Sequence, residues 1–231
     1  MALQAHRLGL MGSDEIELLQ RFVQPDSPIA DVGANQGIYT LFLAQVASLG
    51  HVYAFEPDPT LFASLETNVR RNQVENVTLF NAAAASKPDR LALQPGRLNR
   101  GDNRITSDVS AGAGTIEVEA IPLDQVIPSS RLDLLKIDVQ GFELNVLRGA
   151  TQLLQQNHAL VIVLEFWPYG LRKAGSAPEE LLDFLDNAGF SIFRYSNPTT
   201  REQFTYRPAE WNQSSRFCNL VALRPRSGST E

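Results

Sequence analysis

The chain is 231 residues long, 43% hydrophobic and 20% charged, with a formal net charge of −6. That length and apolar content suffice for one substantial core, so a single domain is expected over 1–231. The acidic balance argues against a broad phosphate-tracking surface, and so against a nucleic-acid substrate. Cys218 is the only cysteine, which excludes an intrachain disulfide and a cysteine-based zinc cluster and leaves packing as its simplest role. No run approaches the length of a membrane span, and the first residues lack the apolar core of a signal peptide, so a soluble cytoplasmic protein without membrane contact is expected.

Within an N-terminal segment, 1–27, the apolar positions Ile16, Leu18, Leu19, Phe22 and Val23 predict a half-buried helix over Ser13 to Val23, of the kind that often roofs a cofactor. A short apolar strand, Pro28 to Ala30, then runs into Asp31-Val32-Gly33-Ala34-Asn35-Gln36-Gly37 and a helix from Ile38. The second strand, from His51, closes on Glu56-Pro57, and Asp58 is placed to cap a helix opening with Pro59. A third strand, Val77 to Phe80, ends at Asn81. Residues 86–114 form a polar excursion whose length suggests a lid or binding element, with Asn103 and Arg104 as its substrate-facing candidates. Thr115 to Ile121 alternates as a strand with one exposed face, and Leu132 to Asp138 is nearly apolar, as a central strand should be.

A helix over Phe142 to Gln156, a buried strand over Ala159 to Glu165, a helix over Pro178 to Ala188 and a terminal strand pair, Phe190 to Tyr195 and Arg216 to Leu223, complete the series. The tail, 226–231, is expected to be disordered. The alternation predicts a Rossmann-like α/β fold. It would hold a mostly parallel seven-stranded sheet with an antiparallel C-terminal strand and helices on both faces.

Ligands of open α/β sheets sit beyond the carboxyl ends of the strands. Asp31, Glu56, Asp138 and Glu165 fall on that edge, with Glu143 one turn into the following helix. Glu56 is placed to accept from a nucleoside ribose. A pyrophosphate would need glycine where Asn35 stands, and Asp31 would repel it, whereas that acid suits the ammonium and sulfonium of S-adenosylmethionine. The cofactor contacts are therefore expected at Asp31, Gly33, Asn35, Gly37, Glu56, Pro57, Asn81 and Asp138. A nicotinamide-dependent oxidoreductase would use Glu56 equally well and stays open as an alternative.

Four ordered motifs sharpen this reading. Asp31-Val-Gly-Ala-Asn-x-Gly37, Ala54-Phe-Glu-Pro57, Lys136-Ile-Asp-Val-Gln-Gly-x-Glu143 and Leu147-x-Gly-Ala150 resemble the FkbM family of S-adenosylmethionine-dependent methyltransferases, from about Pro28 to Phe166. The resemblance implies a class I methyltransferase that methylates a hydroxyl of a small molecule, a sugar unit or a polyketide-like metabolite. His6, His51 and His158 are poorly placed for a base, so a carboxylate is expected. Asp138 comes first, then Glu165 and Glu143, with Lys136 as an orienting cation; Lys136 and Glu143 serve equally well as a structural ion pair. Phe142, Phe166, Trp167 and Tyr169 are secondary candidates for the acceptor wall, and Trp211 for stacking a sugar ring. No metal-ligand set is visible. A non-catalytic S-adenosylmethionine-binding module is the remaining alternative.

Overall fold

The computed structural model describes residues 13–96, 103–106, 114–128, 130–197, 200–211 and 213–225. In chain order the first half comprises α1 (Ser13–Gln20), β1 (Pro28–Val32), α2 (Ile38–Val46), β2 (His51–Phe55), α3 (Pro59–Arg71) and β3 (Val77–Phe80). Next come β4 (Ala83–Ala84), β5 (Asp89–Gln94), β6 (Arg104–Thr106), β7 (Ile116–Ile121) and α4 (Leu123–Val126). The second half holds β8 (Leu134–Ile137), α5 (Glu143–Arg148), α6 (Thr151–Gln156), β9 (Val161–Phe166), α7 (Pro168–Lys173) and α8 (Pro178–Asn187). β10 (Ser191–Asn197), β11 (Thr200–Gln203), a 3₁₀ turn at Pro208–Trp211 and β12 (Cys218–Leu223) close the described chain.

The main sheet runs β3-β2-β1-β8-β9-β12-β10-β11. β3, β2, β1, β8 and β9 are mutually parallel, and β12 is antiparallel to both β9 and β10. The seven expected strands are all present, and β11 adds an eighth at the edge. Its sequence, Thr-Arg-Glu-Gln, is exposed at every position and offers no apolar period; it is a strand only because its backbone pairs with β10.

Both faces of the sheet are covered. On one, Ile16, Leu19, Phe42 and Leu43 pack on Ile29, Val52, Leu134 and Val163; on the other, Leu144, Leu147, Leu181 and Leu185 cover Ala30, Leu135 and Ile162. Burial on both faces is why these strands read as near-continuous apolar runs. Asp58 caps α3 as expected, its Oδ1 accepting from the backbone of Thr60 at 2.7 Å and of Leu61 at 3.2 Å.

Two expectations need correction. The polar excursion is in part a second sheet, ordered β4-β7-β5-β6, because Leu93 and Ile105 bury against Ala83, Val118 and Ala120 despite their polar surroundings. Its residues 97–102 and 107–113 lie outside the described residues, as do His6 and the tail. The helix expected over 142–156 is broken into α5 and α6. At Gly149, between them, any Cβ would run into the Ala85 carbonyl oxygen, so only glycine admits the turn after β4 this close. Among the described residues no helix is long and apolar enough to cross a membrane.

Candidate active site

The strand order reverses direction between β1 and β8, which opens a crevice at their carboxyl ends. A cavity of about 240 Å³ occupies it. The turn Gly33 to Gln36 and Glu56 floor it, Asp138 and Gln140 stand on one side, and Leu93 and Ile105 of the small sheet close it from above. Gly33 has φ +84°, and a Cβ there would strike the Asp138 carbonyl oxygen, so only glycine lets the ends of β1 and β8 meet. Asn35 also takes a left-handed φ of 53°, and Gly37 opens α2 at φ +89°.

Glu56 lines this cavity and is buried. Its Oε2 accepts from the backbone of Asn35 and its Oε1 from that of Asp58, both at 2.8 Å. Burial pushes its carboxyl up to about 7, with Asp58 and Asp31 adding repulsion against those two hydrogen bonds. Pro57 lines the same wall. Asn81 does not line it; its amide donates to the backbone carbonyls of Glu56 at 2.9 Å and Pro57 at 3.3 Å and so holds the acidic turn from behind.

Asp31 is also displaced from its expected place. It is wholly buried below the cavity, where Thr40 donates to its Oδ2 at 2.7 Å and Lys136 Nζ stands 3.4 Å from its Oδ1. Asp31 and Lys136 are register partners on neighbouring strands, and that pairing decides where the carboxylate points. Lys136 does reach the cavity, its Nζ lying 4.7 Å from the centre of the Tyr39 ring. Burial opposes its charge, but Asp31, Asp138 and Glu15 outweigh that and hold the ammonium above its ordinary pKa. Tyr39, which sequence reasoning missed, also lines the cavity and donates to Glu15 of α1 at 2.6 Å.

Two of the remaining acids, Asp138 and Glu165, meet at Gln140, also missed although it lies inside a quoted motif. Its amide nitrogen donates to Asp138 Oδ1 at 3.0 Å and to Glu165 Oε2 at 2.9 Å, tying the ends of β8 and β9 together. Asp138 lines the cavity; Glu165 and Glu143 stand behind that wall. Burial pushes Glu165 up to about 8, with Asp138 and Glu143 repelling. Glu143 is wholly buried, accepts from Gly141 at 2.9 Å, and is pushed up to about 7 by burial in spite of that bond. Rather than pairing with Lys136, it fastens the turn after β8.

Of the aromatic candidates, Phe142 lines the cavity. Phe166 and Trp211 pack edge-on at 5.5 Å inside the core, so Trp211, only 4% exposed, offers no platform to a sugar. Trp167 donates to the Ser214 carbonyl at 2.6 Å and lies under the Arg104 guanidinium. A Tyr-x-x-x-Lys spacing, which some nicotinamide enzymes use, does occur at Tyr169 and Lys173, but on α7 outside the cavity, with the ammonium 5.5 Å from the tyrosine ring. His51 bonds Thr78 at the amino end of β2, and Cys218 is buried, its thiol pushed up to about 12 by burial. Among the described residues no group of three or more histidine, cysteine or acidic side chains is arranged to hold a metal ion.

Residues 31–192 match the family described as Methyltransferase FkbM domain. The hexuronic acid methyltransferase AglP of Haloferax volcanii is 26% identical over 77% of this chain and 69% of its own length. The 2-O-methyltransferase NoeI of Sinorhizobium fredii is 26% identical over 60% of this chain and 63% of its own. The 31-O-demethyl-FK506 methyltransferase FkbM of Streptomyces tacrolimicus is 29% identical over 55% and 60%. A crystal structure of methyltransferase FkbM from Methylobacillus flagellatus superposes with a TM-score of 0.54 at 17% identity, covering 87% of this chain, which spans 44% of that one. A Streptococcus mutans putative methyltransferase solved with S-adenosylhomocysteine gives 0.55 at 12% identity, covering 90% of this chain and 94% of its own. The fold is thus that of class I methyltransferases, and the match over most of the sheet and its crevice makes this chain a member of the FkbM family of S-adenosylmethionine-dependent methyltransferases.

Proposed function

We propose that the protein methylates a hydroxyl of a small molecule, a sugar unit or a polyketide-like metabolite, with Asp138 receiving or orienting the hydroxyl proton. The observation that carries this reading is the Asp138 carboxylate on the cavity wall at the β1/β8 crevice, with one oxygen fixed by Gln140 at 3.0 Å. The names of the 2-O- and 31-O-methyltransferase relatives support a hydroxyl acceptor, and the net charge of −6 supports a small one over nucleic acid.

The cavity residues fit the cofactor. Glu56 supplies a carboxylate acceptor for the ribose hydroxyls, and Ala82, Ala83, Leu93 and Ile105 form an apolar slot for the purine. The Gly33 to Gln36 turn, which a Cβ at Gly33 would spoil, receives the amino-acid end. S-adenosylmethionine supplies an electrophilic methyl on a sulfonium. The chain's own part is alignment of the acceptor, exclusion of water and acceptance of the proton. Asp31 acts through Lys136, keeping that buried ammonium charged, and Glu143 acts through the Gly141 turn.

Asp138→Asn should lower kcat by roughly 10²- to 10⁴-fold while S-adenosylhomocysteine still binds within a few-fold of wild type. Full rate in the variant would remove Asp138 from its role. Turnover of no acceptor by a protein that binds the cofactor would favour a non-catalytic binding module.

A further inference from the structure

We propose that Arg104 reads a carboxylate on the acceptor, so that the substrate of this site is an acidic hydroxy compound. The proposal rests on the hydroxyl-methylation reading above and names its substrate class.

Arg104 lies on β6, at the free edge of the small sheet; Asn103 and Ile105 beside it line the cavity, and the strand alternation turns Arg104 away from them, over Trp167. Its guanidinium carbon stands 4.5 Å from the centre of the Trp167 ring. Its Nε is shielded from solvent and has no hydrogen-bond partner, and among the described residues the guanidinium makes no ion pair. Three other arginines are occupied: Arg131 by Asp26 and Asp133, Arg90 by Glu117, Arg224 by the carbonyls of Leu154, Asn157 and Ala188. A shielded donor left open costs stability, and such groups persist where a ligand completes them.

Neither Arg104 nor Trp167 lines the cavity, but Trp167 follows β9, whose end stands beside Asp138. Ile137 is the register partner of Leu164, which puts Asp138 beside Glu165, two residues before Trp167. A rise of about 3.3 Å per residue and a strand spacing of about 4.8 Å separate Asp138 from Trp167 by roughly 8 Å, the reach of one sugar ring. The two places are mechanically joined: the Trp167 ring rests against Gly170, and the Gly170 backbone rests against Gly141, next to Gln140.

The charge pattern selects the ligand. Asp138 would repel an acidic acceptor unless a cation held its far end. Arg104 is that cation, and its planar fork matches a carboxylate with two parallel bonds. The indole beneath it fixes the plane of the fork and keeps the face toward Trp167 dry.

The test uses ¹⁵N-labelled protein saturated with S-adenosylhomocysteine. The Arg104 Nε–Hε resonance is assigned by its loss in Arg104→Gln and followed during titration with galacturonate, galactose and inorganic phosphate. Galacturonate should move it saturably, and galactose and phosphate should not. In methyl transfer to galacturonate, Arg104→Gln should raise KM by about 10- to 100-fold with kcat within a few-fold, the loss expected for one charge-assisted contact. No movement with galacturonate, equal movement with galactose or phosphate, or an unchanged KM in the variant overturns the proposal. Movement by galacturonate without its methylation keeps the carboxylate site and counts against hydroxyl methylation itself.

Discussion

Lys136 and Asp31 form a buried ion pair, 2% and 0% exposed, at 3.4 Å, and its removal can be worked through in numbers. At an effective dielectric of about 20 the attraction at that distance is about 5 kcal/mol, most of it offset by desolvation of both charges. Lys136→Met strands Asp31 with the Thr40 hydroxyl and leaves Asp138 and Glu15 without their shared cation. The expected cost is about 3–5 kcal/mol, or a fall in Tm of roughly 6–20 °C for a chain of this size. Asp31→Asn should cost less, about 1–3 kcal/mol, because Lys136 keeps Asp138 and Glu15 nearby. The double variant carries no unpaired charge from the pair and should stand close to Asp31→Asn, giving a coupling of about 2 kcal/mol or more. Urea unfolding of the four proteins measures this cycle. Additivity within about 0.5 kcal/mol would show that the two charges do not depend on each other and would refute the reasoning.

Stability should also depend on pH in a set direction. Glu165 is pushed from 4.5 up to about 8, and Glu143 and Glu56 up to about 7. The folded protein therefore keeps protons that the unfolded chain has lost, so their stabilisation is full below about 4.5 and is lost as pH rises through 7 to 8. Tm should fall between pH 5 and pH 9, less steeply in Glu165→Gln; a Tm that rises over this range would contradict these burial effects. Glu56→Gln should weaken S-adenosylhomocysteine binding by roughly 10- to 100-fold in calorimetry, the scale of a charged hydrogen bond. An unchanged Kd would move the ribose contact elsewhere.

The parallel core of the fold was legible because it is written locally: apolar runs, a glycine turn and acids at four of the strand ends. The small sheet was not, because Leu93 and Ile105 are separated by polar sequence and recognise each other only across the pairing of β5 and β6. The close approach of Ala85 to Gly149, where α5 gives way to α6, was hidden for the same reason, since Ala85 is distant in sequence. In the site, Glu56 and Asp138 stand on the cavity wall where strand-end logic put them. Asp31 does not, because its orientation follows from the residue opposite it on β8. Gln140 was passed over because an amide carries no charge; its importance comes from two acids on adjacent strands within reach of one nitrogen. Trp211 looked like a surface aromatic in a polar stretch and is instead surrounded by Phe166, Phe204 and Tyr206.

An open sheet ends in a row of unpaired amides and carbonyls that invites another chain to add on, and β10 would present that row beside Ile192, Phe193 and Tyr195. β11 takes it up. Its outer edge carries Arg201 and Glu202, and Arg201 folds back over the Phe193 ring at 4.6 Å. Four polar residues thus stand where the apolar strand β10 would otherwise form the edge of the sheet.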